Sequence, residues 1–508
     1  MLCATSVGSH TIACLVDSVV GMGLLLRGAQ PHVLLCDGAL PACEACSYVA
    51  FPDPAEFVES GPQPRLCGPC FSAGRTFYEP VPLPFHRYRD YVANGEITAA
   101  LDRVSSWSVE ETFSFEENGS KLGEQVRASA MRFFGKAVLD TEPIELLEAA
   151  ARRYAAGAIV AASVAQRVIE AIEPDVVVSH HGVYVPQGIL GEVARNQGVR
   201  VVNWGPSYRA GTVIYSHGDT YHRTFVDEPV EVWEDRRLTV EDERELMDYL
   251  AQRRVGKGDW SWVTPDAALR PELQEREELV RALALDPARP IFGLLTNVLW
   301  DAQLYYEGHA FENMLDWLWA TLDHFVAHPE LQLIVRIHPH EVKTGNRQPV
   351  EPELRLRYPD LPHNIKVIAY DHPFNTYALM SLCRAVLIYG TKTGVELAPL
   401  GIPVVVAADA WIRNKGLTLD VSTREEYEQI LGSLEEIEPL DDETIERARR
   451  FAHHYFFRRM IPLQAIETVG DPRLRVAQLD DLRPGVDPGL DVICDGILTG
   501  SPFVFDAR

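Results

Sequence analysis

Residues 333–418 constrain this chain more than any other stretch. LIVRIHPHE is an apolar strand that ends in Arg336, His338, Pro339 and His340. VLIYGTKTGVELAPLGIPVVVA then reads as strand, Gly/Thr turn, short helix and strand, and WIRNKGLT closes the stretch with a polar loop carrying Lys415. Each apolar run is short, β-branched and followed by small or polar residues. Buried parallel strands read this way when the loops at their carboxyl ends carry function. Ligands of open α/β sheets sit outside those carboxyl ends. His338, Thr391 to Gly394 and Lys415 are therefore expected to converge on one crevice. The chemistry expected there is anion binding, with backbone N–H groups and a helix starting near Val395 favouring a phosphate. Thr391 and Thr393 add hydroxyls and Lys392 adds charge. The spacing is not that of a Walker A loop. An ordinary βα turn, in which Gly390 and Gly394 only relieve backbone strain, is the competing reading.

Arg-Ile-His338-Pro339-His, then Tyr-Gly-Thr391-Lys-Thr393-Gly about fifty residues on, then Leu-Gly401-Ile-Pro403-Val, resembles the donor domain of bacterial capsule polysaccharide biosynthesis proteins. That family includes the Kdo-transferase-like group of GT-B glycosyltransferases. Trp411-Ile-Arg-Asn-Lys415-Gly416-Leu-Thr418 extends the likeness, which covers roughly the C-terminal 200 residues. The hydroxyl pair is written T-K-T here, where the family has adjacent Ser/Thr residues. The resemblance implies a nucleotide-activated donor, a cytidine nucleotide such as a CMP-Kdo-like sugar, with His338 at its phosphates and Thr391 and Thr393 close by. It also implies two Rossmann-like domains, with donor bound by the second, acceptor by the first and transfer across the cleft. Asn297, Arg336, Pro339, Lys392, Gly394, Glu396 and Lys415 complete the expected donor contacts, and no catalytic metal is expected.

The chain has 508 residues, enough for two or three domains. Its formal net charge is −26, from 47 basic and 73 acidic side chains. No basic block offsets that charge, so nucleic acid is not an expected partner, and membrane association is peripheral at most. No apolar run is read as reaching the ~18–20 residues of a spanning helix. Residues 11–26 come nearest, interrupted by Asp17 and without a basic region ahead of them, so a cytoplasmic location is expected.

In chain order, residues 2–35 read as strand, loop, helix and strand, the opening βαβ of a Rossmann-like domain. His10 falls at the carboxyl end of the first strand and is a candidate general base, with N-capping or packing as the rival role. Cys43-x2-Cys46, twenty residues, then Cys67-x2-Cys70 suits a structural four-cysteine zinc ribbon inserted at about 36–75. Cys36 is an alternative ligand. A redox dithiol pair, an iron–sulfur cluster and unligated thiols are the competing readings. Residues 76–170 are expected to be mainly helical, with a long alanine-rich helix over 145–172 packed on the sheet.

The strand DVVVSH ends in His180, His181 and Tyr184, and His181 is the second candidate base. Tyr208, Arg209 and His217 follow, and with Tyr184 they are the expected acceptor contacts, because sugar binding uses aromatic faces and forked polar groups. Residues 228–288, with Trp233, Trp260 and Trp262, are expected to link the domains. The expected plan is an acceptor domain at 1–270, a donor domain at 271–435, and helices and tail at 436–508 that cross back to the first. The function expected is transfer of a sugar to a surface polysaccharide or glycoconjugate, with His338 also a candidate catalytic group and homo-oligomerisation open. The alternatives are a sugar-nucleotide epimerase of the same plan and a non-catalytic scaffold in a polysaccharide assembly complex.

Overall fold

The computed structural model describes residues 1–257, 259, 273–302, 304, 308–341, 346–467 and 473–506. Trp260, Trp262 and the expected boundary at 270/271 lie outside them. The chain forms two compact units. Unit 1 holds Met1–Thr224, Trp300–Tyr305 and Arg458–Arg508; unit 2 holds Phe225–Leu299 and Tyr306–Phe457. The first segment of unit 1 thus ends at 224, well before 270, and the segment returning to it begins at 458 instead of 436.

The strands, in chain order, begin with Leu2–Cys3 (β1), His32–Leu35 (β2) and Phe85–Arg87 (β3). A small hairpin follows, Glu116–Glu117 (β4) and Ser120–Lys121 (β5), then Val176–His180 (β6), Arg200–Pro206 (β7) and Thr212–His217 (β8). Unit 2 contributes Ile291–Leu295 (β9), Gln332–Arg336 (β10), Ile365–Ile368 (β11), Ala385–Ile388 (β12), Val404–Val406 (β13) and Leu419–Asp420 (β14). Ile461–Pro462 (β15) completes the set that builds the two large sheets.

The sheet of unit 1 has the order β15-β8-β7-β6-β1-β2-β3. Its strands from β3 to β7 are parallel, with Leu2 opposite both His32 and Val177. β8 runs antiparallel to β7, with Val202 opposite His217 and Pro206 opposite Val213, and β15 is antiparallel to β8. The sheet of unit 2 is parallel throughout, in the order β11-β10-β9-β12-β13-β14. Numbered from its own first strand, this is the 3-2-1-4-5-6 order of a dinucleotide-binding sheet, and β3 to β7 of unit 1 repeat its 3-2-1-4-5 part. In each unit the chain first builds to one side of its opening strand and then switches to the other. The switch falls between β1 and β6 in unit 1 and between β9 and β12 in unit 2.

Helices cover both sheets because their residues are apolar on the faces they bury. Helix Thr11–Leu26 is buried from Ala13 through Leu24. Helix Ile144–Ile172 has sixteen buried positions, mostly Ala, Val and Ile. It is long and apolar enough to cross a membrane, contrary to the expectation that no run reaches that length, yet 67% of its most apolar window is buried inside the protein. It is a core helix packed on the sheet.

The cysteine segment is not a ribbon. Residues Pro54–Ser60, Gln63–Cys67 and Gly68–Tyr78 are helical. The C-x-x-C spacing suits one turn of helix as well as a metal knuckle, and here Cys67 and Cys70 lie in helix while Cys43 and Cys46 lie on a turn. This helical insert packs hard against the first loop. A Cβ on Gly74 would lie 2.6 Å from Gly8 Cα, so the two glycines permit an approach that any side chain would block.

Candidate functional site

In unit 2 the loops after β9 and β10 are joined, and the loop after β12 leaves the adjoining strand across the switch point. Thr296 follows β9, and its Oγ1 accepts the His338 amide, 2.9 Å away, which locks the loop after β10 to it. The His340 amide donates to His338 Nδ1 (3.1 Å). With Nδ1 an acceptor, the proton of the neutral ring sits on Nε2, making that nitrogen a hydrogen-bond donor. After β12, Thr391 Oγ1 accepts the Thr393 amide (3.4 Å) and lies 3.0 Å from Thr393 Oγ1, so the two hydroxyls form a pair. His338, Thr391 and Thr393 are each partly exposed.

Several expected donor contacts are engaged elsewhere. Helix Thr393–Leu397 has five residues and starts two residues before the expected Val395. Gly394 is buried there, where a Cβ would crowd Ile412 and Ile388, so its role is close packing. Lys392 Nζ bonds Glu396 Oε1 (3.0 Å), and Glu396 also takes Arg253 Nε (2.7 Å) and the Tyr377 hydroxyl. Arg253 in turn pairs with Asp259. Despite the desolvation that opposes it, the Arg253 and Lys392 charges hold the Glu396 carboxyl well below the usual range, while burial lowers Lys392 to about 8. Lys415 Nζ donates to the carbonyls of Val226 and Glu228, both at 2.8 Å, and ties the linker down. Arg336 holds the Ala369 and His372 carbonyls and the Thr376 hydroxyl, bracing the loop after β11. The Asn297 side chain bonds the Val298 carbonyl at 3.3 Å, and Pro339 is partly exposed beside His338.

In unit 1 the loops after β1 and β6 meet at the other switch point. His10 and His180 rings lie 5.5 Å apart, His180 and His181 5.8 Å, and His181 and His222 5.3 Å. The two candidate bases thus share one row of imidazoles. Burial, with the Arg132 charge beside it, lowers His10 to about 4, and burial lowers His222 to about 4 and His181 well below its usual value. The rings are therefore neutral at pH 7 and available as proton acceptors.

Three side chains here were not singled out from the sequence. Glu44 lies 2% exposed between Cys43 and Cys46, its Oε1 3.5 Å from His10 Nε2, and burial raises its carboxyl to about 8. Arg132 and Trp300 stand beside it. Tyr184, with φ 72, is buried, and its hydroxyl donates to Asp301 Oδ1 (3.5 Å) and accepts the Ala302 amide (2.9 Å). A lone Glu between cysteines and a lone Arg in an otherwise apolar helix turn read as solvated charges; the burial of Glu44 and the packing of Arg132 over two rings distinguish them.

Of the other expected acceptor contacts, His217 lies away from this group. His217 ends the antiparallel β8, so it lies level with Val202, towards the amino end of the parallel strands. Its ring stacks on Phe503 at 4.3 Å and its Nε2 is 2.9 Å from the Ser501 carbonyl. Arg209 donates to the Met460 carbonyl (3.1 Å). Tyr208 is partly exposed on the turn between β7 and β8.

Cys43 and Cys46 share one turn, closed by Cys46 N on Cys43 O at 2.9 Å, while Cys67 and Cys70 lie one helical turn apart. Burial first, and then charge on Cys43 and Cys36, would raise the Cys67 thiol to about 12; burial likewise raises Cys36 to about 12. The donor chemistry suits zinc. The arrangement does not reach it: among the described residues no group of three or more His, Cys, Asp or Glu is placed to hold a metal ion.

No protein-family model matches the chain, and no curated protein matches it. Solved structures give partial likenesses. The KpsC β-Kdo 2,4 transferase of Thermosulfurimonas dismutans is 15% identical over 60% of this chain and 86% of that one, with a TM-score of 0.36. The UDP-GlcNAc 2-epimerase of Neisseria meningitidis is 12% identical over 89% and 97%, with a TM-score of 0.25. The spinosyn rhamnosyltransferase SpnG is 12% identical over 89% and 95%, with a TM-score of 0.26. At these scores the likenesses assign neither an activity nor a family to the chain.

Proposed function

We propose that the chain is a GT-B glycosyltransferase that binds a nucleotide-activated sugar, a cytidine nucleotide such as a CMP-Kdo-like donor, on unit 2. Unit 1 takes the saccharide or glycoconjugate acceptor. The observation that carries this reading is the sheet order of unit 2, with His338 and the Thr391/Thr393 hydroxyl pair at its switch point. The sequence resemblance of those residues to capsule polysaccharide donor domains supports the same assignment. Glycosyl transfer needs a base for the acceptor hydroxyl and donors for the departing phosphate. His10, neutral and at the mouth of the imidazole row, takes the first part. The His338 Nε2–H and the Thr391 and Thr393 hydroxyls take the second, donating hydrogen bonds to phosphate oxygens as negative charge develops there. A structural zinc on Cys43, Cys46, Cys67 and Cys70 belongs to this proposal; it takes no part in the chemistry, and holding it requires the two pairs to draw closer than the structure has them.

Calorimetric titration and thermal shift with CMP, CDP, UDP, GDP and ADP test the donor site. Cytidine nucleotides should bind selectively. His338→Ala should weaken them at least tenfold and lower turnover by about 10²–10³-fold with the fold kept. Binding of UDP or GDP alone would overturn the cytidine assignment. Folded protein that binds no nucleotide would overturn the transferase reading in favour of a scaffold.

A further inference from the structure

Arg132 lies in the last turn of helix Gly123–Phe134, which Gly135 ends in the left-handed region at φ 64. A cation there usually reaches into water, where it also favours the helix dipole. This one is turned inward. Its guanidinium lies 5.2 Å from the Tyr184 ring centroid and 5.5 Å from that of Trp300, and those residues are 2% and 6% exposed. Its Nε donates to the Glu44 carbonyl at 3.3 Å. The rings and that carbonyl fix the plane of the fork.

The arginines of this chain that are buried outright have more acceptors than this half-buried one. Arg253 pairs with Asp259 and Glu396, Arg459 holds the Phe503 and Tyr215 carbonyls, and Arg413 holds the Val421 carbonyl and the Ser422 hydroxyl. Among the described residues no carboxylate forms an ion pair with Arg132. The Glu44 carboxyl is directed to His10, and Asp301 Oδ1 takes the Tyr184 hydroxyl. Despite the desolvation that opposes it, the nearby Tyr184, Glu44 and Asp301 groups hold the guanidinium charged, yet no carboxylate closes an ion pair with it, so a ligand anion can still take its fork.

A second observation points the same way. His180 Nδ1 and His181 Nδ1 are buried without a hydrogen-bond partner among the described residues. The Arg132 charge acts on both rings. Buried polar atoms are rarely left bare, and two converging near one cation mark a place that a polar ligand completes. His181 and Tyr184 also hold positive φ values of 65 and 72, conformations that side-chain-bearing residues adopt at functional sites more than elsewhere.

We propose that Arg132 is the anion-recognising centre of unit 1, gripping a carboxylate or phosphate oxyanion carried by the saccharide that binds there. The two Nη groups suit a forked bond to two oxygens, and the Tyr184 and Trp300 rings hold the fork in place. The histidine row then supplies hydrogen bonds to the neighbouring hydroxyls. This rests on the reading of unit 1 as the acceptor side, and it makes the acceptor an acidic or phosphorylated sugar.

Calorimetric titration of the full chain with glucuronate, glucose 6-phosphate and glucose tests it. At least one of the two anions should bind roughly tenfold or more tightly than glucose, and Arg132→Gln should erase the difference while Arg132→Lys keeps part of it. Preference for glucuronate names the carboxylate, and preference for glucose 6-phosphate names the phosphate. Cytidine nucleotide binding is measured on the same samples. Its failure in the wild type defeats the donor reading, whereas its retention in Arg132→Gln shows that the variant is folded. Should that variant not fold, phenylglyoxal labelling of wild-type protein, mapped by mass spectrometry, replaces it: the preferred anion should protect Arg132 and glucose should not. Equal binding of all three sugars, unchanged preference in Arg132→Gln, or labelling of Arg132 that no anion prevents would overturn the proposal.

Discussion

Asp17 sits in helix Thr11–Leu26 with 1% of its surface exposed. Burial raises its carboxyl to about 7. The folded chain therefore holds this proton up to about pH 7, while the unfolded chain releases it near 3.8. Because the folded state binds the proton more tightly, stability falls as pH rises from about 4 to about 7 and then levels. Asp17→Asn removes the titration. Its unfolding free energy in urea should gain on the wild type across that window, by an amount on the order of a few kcal/mol at pH 8. A constant difference from pH 4 to 8 would show that Asp17 does not titrate in this way. Single residues were the least legible scale. Asp17 reads only as a break in an apolar run, and Glu396 and Lys415 as ligand contacts, while the bonds they make here are to a buried arginine and to linker carbonyls. Sequence reports that a charge is present, not what it pairs with, since those partners lie 143 and about 190 residues away.

At the scale of elements, the parallel strands were legible because burial on both faces demands continuous β-branched runs. Polar residues cluster at their carboxyl ends, so His10, His180, His181, His338 and Thr391 could be placed at switch points from spacing alone. Strand direction was not legible. β8 has the composition of its neighbours but runs backwards, which carries His217 to the opposite edge. The segment between Cys36 and Tyr78 shows the same limit, since its cysteine spacing is met by helix turns. Its packing nevertheless matters to the site. The Ser9 amide donates to Cys70 Sγ at 3.2 Å, next to His10. A zinc ion on the two C-x-x-C pairs would deprotonate thiols that burial otherwise keeps neutral and would fix this contact. Metal analysis of protein purified without chelators should find one zinc per chain. Cys67→Ser should lower that content and reduce the melting temperature. Metal-free protein with unchanged stability would leave the segment as a helical insert held by packing alone.

The whole molecule is two sheets of related order, and the chain visits them in the sequence unit 1, unit 2, unit 1. The return segment is part of the first core, not an appendage. Helix Pro488–Thr499 buries Leu490, Ile493, Cys494 and Ile497 in the same cluster as helix Thr11–Leu26 and strands β1 and β6. Arg27 pairs with Asp491, Arg200 Nη2 donates to the Ile497 carbonyl at 2.8 Å, and Phe503 lies 1% exposed beside Tyr215. Burying a large aliphatic or aromatic side chain contributes about 1.5–3 kcal/mol, so losing Leu490, Ile493, Ile497 and Phe503 together is comparable with the whole stability of an ordinary domain. Ending the chain after residue 487 should therefore unfold unit 1 locally. Hydrogen exchange read by mass spectrometry should show amides of β1, β6 and β7 losing protection, while those of β9, β10 and β12, whose core contains none of these residues, stay protected. Retained protection at β1 and β6 would mean that the first sheet holds without its return segment. Loss at all six strands would mean that the two units unfold as one cooperative body.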